Sequence, residues 1–247
     1  MRVELAGVPE TLLWTLWHRA IESRRDDAVL DDPKALELVD EIDYPFAERF
    51  GEIGLIAQWQ ALRAKRFDIE IRRFLAAHPD GTVVALGEGL ETQFWRVDNG
   101  RVRWLTVDVP ETIEVRERLL SHGERQTVLA QSAFDETWMD AVDAANGVLI
   151  TAQGLLMYFE YADVERLVAA MRRRFPGGTL IFDAVRGALA KRSREPRGDG
   201  YQPPPWLWAI DGAKRRALGA ERLRLPRGRG VLRLLPITPI EILRVRF

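Results

Sequence analysis

Residues 82–93 read TVVALGEGLETQ. The first five, Thr82 to Leu86, form an unbroken apolar and β-branched run, the composition of a strand buried on both faces of a parallel sheet. The run stops at Gly87-Glu88-Gly89. Two glycines there let the backbone turn sharply and approach a ligand more closely than a Cβ would allow. A dinucleotide-binding turn needs a third small residue at position 92; Thr92 stands there instead, so pyrophosphate is disfavoured. The next strand-like run, 102–107 (VRWLTV), leads into Asp108. A carboxylate at that place can accept hydrogen bonds from both ribose hydroxyls of an adenosyl group. It can also cap the helix that opens at Pro110-Glu111, and the sequence leaves both roles open.

Outward from this stretch the period alternates. Short apolar runs recur at 127–130, 147–151 and 179–182, separated by helical segments at 110–120 and 161–175. Alternating strand and helix predicts an α/β sheet wound with right-handed crossovers, with the ligand site at the carboxyl ends of the strands. Upstream the pattern is helical. Leu12, Leu13, Leu16, Trp17, Ala20 and Ile21 recur at spacings of three and four, a second helix runs from about Pro33 to Val39, and a third over 57–77 ends at the turn His78-Pro79-Asp80-Gly81. After Asp183 the regularity fades. Residues 186–229 hold 12 Lys/Arg against four Asp/Glu and the run Pro203-Pro204-Pro205-Trp206, and closing strands are expected near 219–225 and 240–246.

With 47% apolar and 30% charged side chains over 247 residues, the chain has the mixture of one folded domain. Lys+Arg 36 nearly cancels Asp+Glu 37, so no global field draws it to nucleic acid or an anionic membrane; a small-molecule partner fits better. The absence of cysteine removes disulfides, thiolate metal sites and thiol nucleophiles. No metal site is expected. The first 20 residues lack the basic-then-apolar pattern of a leader, and no apolar run approaches the roughly 20 residues of a membrane helix. A cytoplasmic protein is expected.

The string VVALGEGLETQFWRVDNGRVRWLTVDVPETIEVRERLL, residues 83–120, resembles the glycine turn, ribose-binding acid and Pro-Glu of the leucine carboxyl methyltransferase family. AQSAFDETWMDAV (130–142) is similar to the family's adenine-wrapping stretch, and ITAQGLLMYFEYADVERLV (150–168) to the segment that follows its fourth strand. VPETLLWTLWHRA and DYPFAERFG resemble the subgroup containing polyketide carboxyl O-methyltransferases. The resemblance implies a Rossmann-like class I methyltransferase sheet, mostly parallel with an antiparallel C-terminal strand, in a single domain over 1–247. Within it, 1–56 would form a helical lid, 57–185 the cofactor-binding core, and 186–247 a substrate-side insert with closing strands. It implies S-adenosylmethionine as cofactor, S-adenosylhomocysteine as product, and a cofactor site built from Arg63, Gly87, Glu88, Gly89, Asp108, Val109, Ser132, Ala133, Phe134 and Gln153. Arg63 falls where the family places an arginine on the ligand's carboxylate.

The sequence departs from the family pattern at four positions. Glu91 replaces an aspartate, Gln93 an arginine, Glu88 a small or neutral residue, and Gln153 a glutamate that would meet the ligand's ammonium group. A glutamine oxygen still accepts that bond without the ionic part, and Glu88 is a candidate to restore the charge. The implied reaction is methylation of a carboxylate on a polyketide-like or other secondary metabolite, aromatic or carrier-bound. The departures leave open non-methyl chemistry on the same cofactor, such as cyclisation, or a catalytically silent binding protein.

A carboxylate acceptor needs no base, so no obligatory catalytic residue is expected; a hydroxyl acceptor would bring His18 or His122 into consideration. Tyr158 is a candidate lining of the acceptor pocket, with ordinary burial as its other reading. Trp14, Trp17, Tyr44, Phe46, Trp59, Trp206 and Trp208 suit an apolar lid, or the core. The basic excess of 186–229 suits either an acidic or carrier-bound substrate or a solvated loop.

Overall fold

The structure, a computed structural model, describes residues 3, 5, 7–195, 201–230, 232 and 240–247. Part of the basic segment, residues 196–200, therefore lies outside the described residues. The chain opens with helices α1 (Thr11–Ser23), α2 (Pro33–Glu41), α3 (Phe46–Phe50) and the long α4 (Gly54–Ala77). The alternation then runs β1 (Thr82–Leu86), α5 (Gln93–Val97), β2 (Arg103–Asp108), α6 (Pro110–Leu119), β3 (Gln126–Ala130), β4 (Val148–Ala152), α7 (Tyr161–Arg174) and β5 (Thr179–Val185). Short helices α8 (Gly187–Ser193) and α9 (Gly212–Ala217) precede the closing strands β6 (Ala220–Leu223) and β7 (Ile240–Arg246).

Among the described residues the strands form one seven-stranded sheet in the order β3-β2-β1-β4-β5-β7-β6. The first five are mutually parallel, and β7 runs antiparallel to both β5 and β6. β1 and β4 are buried along their whole length, as their apolar runs require. One face carries α4 through Phe67, Ile71 and Leu75, which pack on Val83, Trp104 and Leu149. The other carries α7 through Val164, Leu167, Val168 and Met171, on Ile150, Leu180 and Phe182. Strand order reverses between β1 and β4, so the crossovers on either side leave a crevice above their carboxyl ends.

The N-terminal helices have a core of their own. Leu13, Leu16 and Trp17 of α1 meet Leu38, Phe46 and Phe50, and reach down to Leu90 just past the glycine turn. This packing sets α1 against Leu90, next to the ends of the strands. α2 starts cleanly because Asp32 accepts from the amide of Ala35 and Pro33 occupies the first helical turn. The helices that periodicity does not reveal, α3, α5, α8 and α9, are five to seven residues long, too short to display a stripe. No helix among the described residues is long and apolar enough to cross a membrane.

Candidate functional site

The turn after β1 places Gly87 and Gly89 at φ of 60° and 54°, a region L side chains rarely adopt. Space forbids a side chain as well. A Cβ on Gly87 would lie 2.6 Å from Leu155, and one on Gly89 would lie 3.0 Å from Leu12 of the lid. Asp108, at the end of β2, fixes this turn: one carboxylate oxygen accepts from the amide of Gly89 at 2.7 Å and the other from Val109 at 2.8 Å. Burial raises the pKa of Asp108, against the pull of those two amides and of Arg116. Its bond to Val109, which precedes α6, shows that holding the turn and facing the start of a helix are compatible roles for one carboxylate.

Glu88 borders the crevice, but its carboxylate turns beneath the glycine turn. Its carboxylate accepts from Thr106 Oγ1 and Trp104 Nε1 and pairs with Arg116 at 3.2 Å. Burial pushes its pKa up, opposed first by Arg116. Arg116 also donates to the carbonyls of Gly89 and Glu91, so Glu88 and Arg116 together brace the turn from below. This corrects the expectation that Glu88 replaces a missing charge at position 153. Glu91 is the carboxylate next to Gln153, and its Oε2 accepts from Gln153 Nε2 at 2.8 Å.

Glu91 belongs to a buried ionic cluster. Arg19 of α1 reaches Asp32 at 3.1 Å and Glu91 at 3.2 Å, while Arg96 reaches Asp32, Asp68 and Glu91 at 2.7–2.8 Å. Burial opposes the charge on Glu91, but Arg19, Arg96 and Arg63 outweigh it and hold the pKa down at about 2. Gln93 joins by donating to Asp68 at 2.9 Å. Sequence reasoning missed Arg19 and Arg96, since nothing in α1 or in the five-residue α5 marks its arginine as reaching Glu91 in the folded chain.

Arg63 is more deeply placed than the margin of its helical stripe implies, with 7% exposure. Its Nη1 donates to Asp183 Oδ2 at 3.1 Å, its Nε has no partner among the described residues, and Asp183 Oδ1 accepts from Gly154 N at 2.6 Å. Together Arg19, Arg63, Gly87, Glu88, Gly89, Glu91 and Gln153 border an enclosed cavity of about 60 Å³ under α1. Ser132, Ala133 and Phe134 follow β3, the neighbour of β2. Ser132 is exposed, Ala133 buried, and Phe134 packs on Phe159 with centroids 4.2 Å apart.

A second, larger cavity of about 670 Å³ adjoins the first, and Arg63 and Gly154 border both. Its walls are mainly apolar and aromatic, including Trp14, Phe50, Trp59, Tyr158, Tyr201 and Trp206. Tyr158 thus borders it, and burial raises the phenol's pKa. His18 does not. It is fully buried inside the lid with Nδ1 2.8 Å from the carbonyl of Trp14, and burial lowers its pKa and keeps it neutral. His122 is exposed, 3.5 Å from Glu117. Of the expected aromatic lid, Trp17, Tyr44 and Phe46 pack within the helical core, and Trp208 donates to Leu156 O in the main core.

These features suit an adenosyl amino acid. The glycine cradle has no room for a Cβ, Asp108 stands at the end of the second strand, and Gln153 Oε1 and Arg63 Nε are buried without partners among the described residues. The leucine carboxyl methyltransferase family model matches residues 12–172. The tetracenomycin polyketide synthesis O-methyltransferase TcmP of Streptomyces glaucescens is 38% identical over 184 residues, 74% of this chain and 68% of that protein. The S-adenosyl-L-methionine-dependent methyltransferase dpfgK of Gibberella zeae is 26% identical over 204 residues, again 74% and 68%. In fold alone, the chain is similar to a possible exported protein from Bordetella parapertussis (TM-score 0.59, 15% identity, 96% of each chain). It is also similar to the methyltransferase domain of bacterial-CtHen1-CN (TM-score 0.50, 12% identity, 74% of this chain and 98% of that one). The protein belongs to the leucine carboxyl methyltransferase family and is an S-adenosylmethionine-dependent methyltransferase.

Proposed function

We propose that the chain methylates the carboxylate of an aromatic, polyketide-like small molecule. The observation that carries this reading is the absence of a free base around the larger cavity, among the described residues. Asp183 is committed to Arg63 and Gly154, Glu48 is exposed at the rim, and burial raises the pKa of both Tyr158 and Tyr201. A phenol or alcohol acceptor would need such a base. A carboxylic acid, with an ordinary pKa of about 4, is already an anion at neutral pH. The cavity size lies within the range of about 300–1,000 Å³ that takes up ligands of this kind. TcmP, named for tetracenomycin polyketide synthesis, supports the same class of acceptor.

In this reading Gly87 and Gly89 support the ligand backbone, Asp108 accepts from the ribose, and Val109 with Ser132, Ala133 and Phe134 borders the adenine. Gln153 meets the ammonium group and Arg63 the carboxylate. S-adenosylmethionine supplies a methyl group on a positively charged sulfur. The protein's part is to hold the acceptor oxygen in line with that carbon, roughly 3 Å away, and to keep water out. The aromatic walls do the second, and the position of Arg63 between the cavities makes it the hinge of the first.

Incubation with methyl-labelled S-adenosylmethionine and a panel of polycyclic aromatic carboxylic acids tests the reaction. The expected product is a labelled ester that loses its label in mild alkali, formed one-to-one with S-adenosylhomocysteine. Label that survives alkali, or release of methylthioadenosine, would contradict it.

A further inference from the structure

Gln153 and Glu91 meet in an arrangement that fixes which way the amide faces. Nε2 of Gln153 donates to Glu91 Oε2 at 2.8 Å, whereas Oε1 of Gln153 is buried and has no partner among the described residues. A carboxylate only accepts hydrogen bonds, so turning the amide over would set its oxygen against a carboxylate oxygen. Glu91 cannot move to relieve this. Its Oε1 is held by Arg96 at 2.8 Å and by the amide of Thr92 at 3.0 Å, and its Oε2 also meets Arg19. Both residues border the enclosed cavity under α1.

We propose that Glu91 is a positioning residue: it holds the amide of Gln153 so that the carbonyl oxygen is the acceptor offered to the ammonium group of the bound amino acid, and it supplies the negative charge that Gln153 lacks. The inference rests on the proposed placement of the ligand's amino-acid end in this cavity. An unpartnered buried acceptor is costly until something donates to it, and an ammonium group donates three ways. Arg63 borders the same cavity and offers the carboxylate end of the ligand a partner of opposite sign.

The test is calorimetric and does not depend on turnover. S-adenosylhomocysteine carries the amino-acid end and methylthioadenosine lacks it. The unaltered protein is expected to prefer the former. Glu91→Gln should weaken S-adenosylhomocysteine by about tenfold or more, through loss of orientation and charge, while changing methylthioadenosine by less than about threefold. The exchange Glu91→Gln/Gln153→Glu should restore most of that loss, since it returns the carboxylate to the ligand's side. Because Glu91 is part of the ionic cluster, Gln153→Met provides an independent arm that leaves the cluster intact; it should show the same selective loss. An unchanged preference in Glu91→Gln or Gln153→Met, or a double variant no better than Glu91→Gln, would overturn the proposal. If the unaltered protein shows no preference between the two ligands, the placement of the amino-acid end itself fails, which is a different outcome.

Discussion

Asp183 and Glu91 divide the guanidinium groups of the site between them, Arg63 going to one and Arg19 with Arg96 to the other. Two expectations follow at this scale. A lysine cannot reproduce the planar fork of arginine, so Arg63→Lys should weaken S-adenosylmethionine by about 1–3 kcal/mol while leaving methylthioadenosine almost unchanged. Equal losses for both ligands would instead show a general structural defect. The second concerns acid. The pKa of Glu91 is held at about 2 in the folded protein and rises to about 4.3 in the unfolded chain. Its contribution, on the order of 3 kcal/mol, is therefore complete above pH 4.3 and is lost as pH falls toward 2. Urea unfolding should show Glu91→Gln clearly less stable than the unaltered protein at pH 7 and nearly equal to it at the acid end; parallel stability curves would contradict this. Residue roles were only partly legible in the sequence. Asp108 could be placed from its strand end, but Glu88 could not, because which way a side chain leaves a glycine turn depends on Thr106 and Arg116, distant in the chain.

The elements were more legible than their contacts. β1, β4 and β5 each appear as a short apolar run because both faces of the sheet are covered there, whereas β3, at the sheet edge, is only partly buried. What spacing does not reveal is how α1 is fastened. Arg229, in the connection between β6 and β7, donates to both oxygens of the fully buried Glu22 of α1 at 2.6 and 2.7 Å, and its amide donates to Gln58 of α4. Beside it, a Cβ on Gly228 would lie 2.5 Å from Gln58 and 2.8 Å from Leu232. The pair spans most of the chain, so no local pattern points to it. Arg229→Ala would strand the Glu22 carboxylate in the interior and should cost about 3 kcal/mol in chemical denaturation. A loss below about 0.5 kcal/mol would show that this ion pair does not fasten α1. Leu12 rests against the Gly89 turn beside the smaller cavity, and α1 is expected to shift outward when a whole ligand enters. Hydrogen exchange over α1 should therefore change when S-adenosylhomocysteine is added, and an unaltered exchange pattern would argue against the lid.

At the scale of the molecule, one sheet brings three demands to a single edge. The switch between β1 and β4 opens the crevice, the glycine turn and Asp108 shape its floor, and the lid closes an aromatic cavity beside it. That layout could be read from alternation and from one Gly-x-Gly. The acceptor cavity could not, because its walls come from α1, α3, α4, the end of β5 and the irregular stretch around Trp206, which only the fold brings together. The claim on which the rest depends is that the ligand's adenosine lies against Asp108 at the end of β2. Titration calorimetry of S-adenosylhomocysteine against the unaltered chain and against folded Asp108→Ala tests it directly. One site per chain is expected, weakened by about 2–3 kcal/mol when the ribose loses a charged acceptor. An equal dissociation constant in the two proteins would mean that Asp108 serves only the turn and the start of α6, and that the cofactor binds elsewhere.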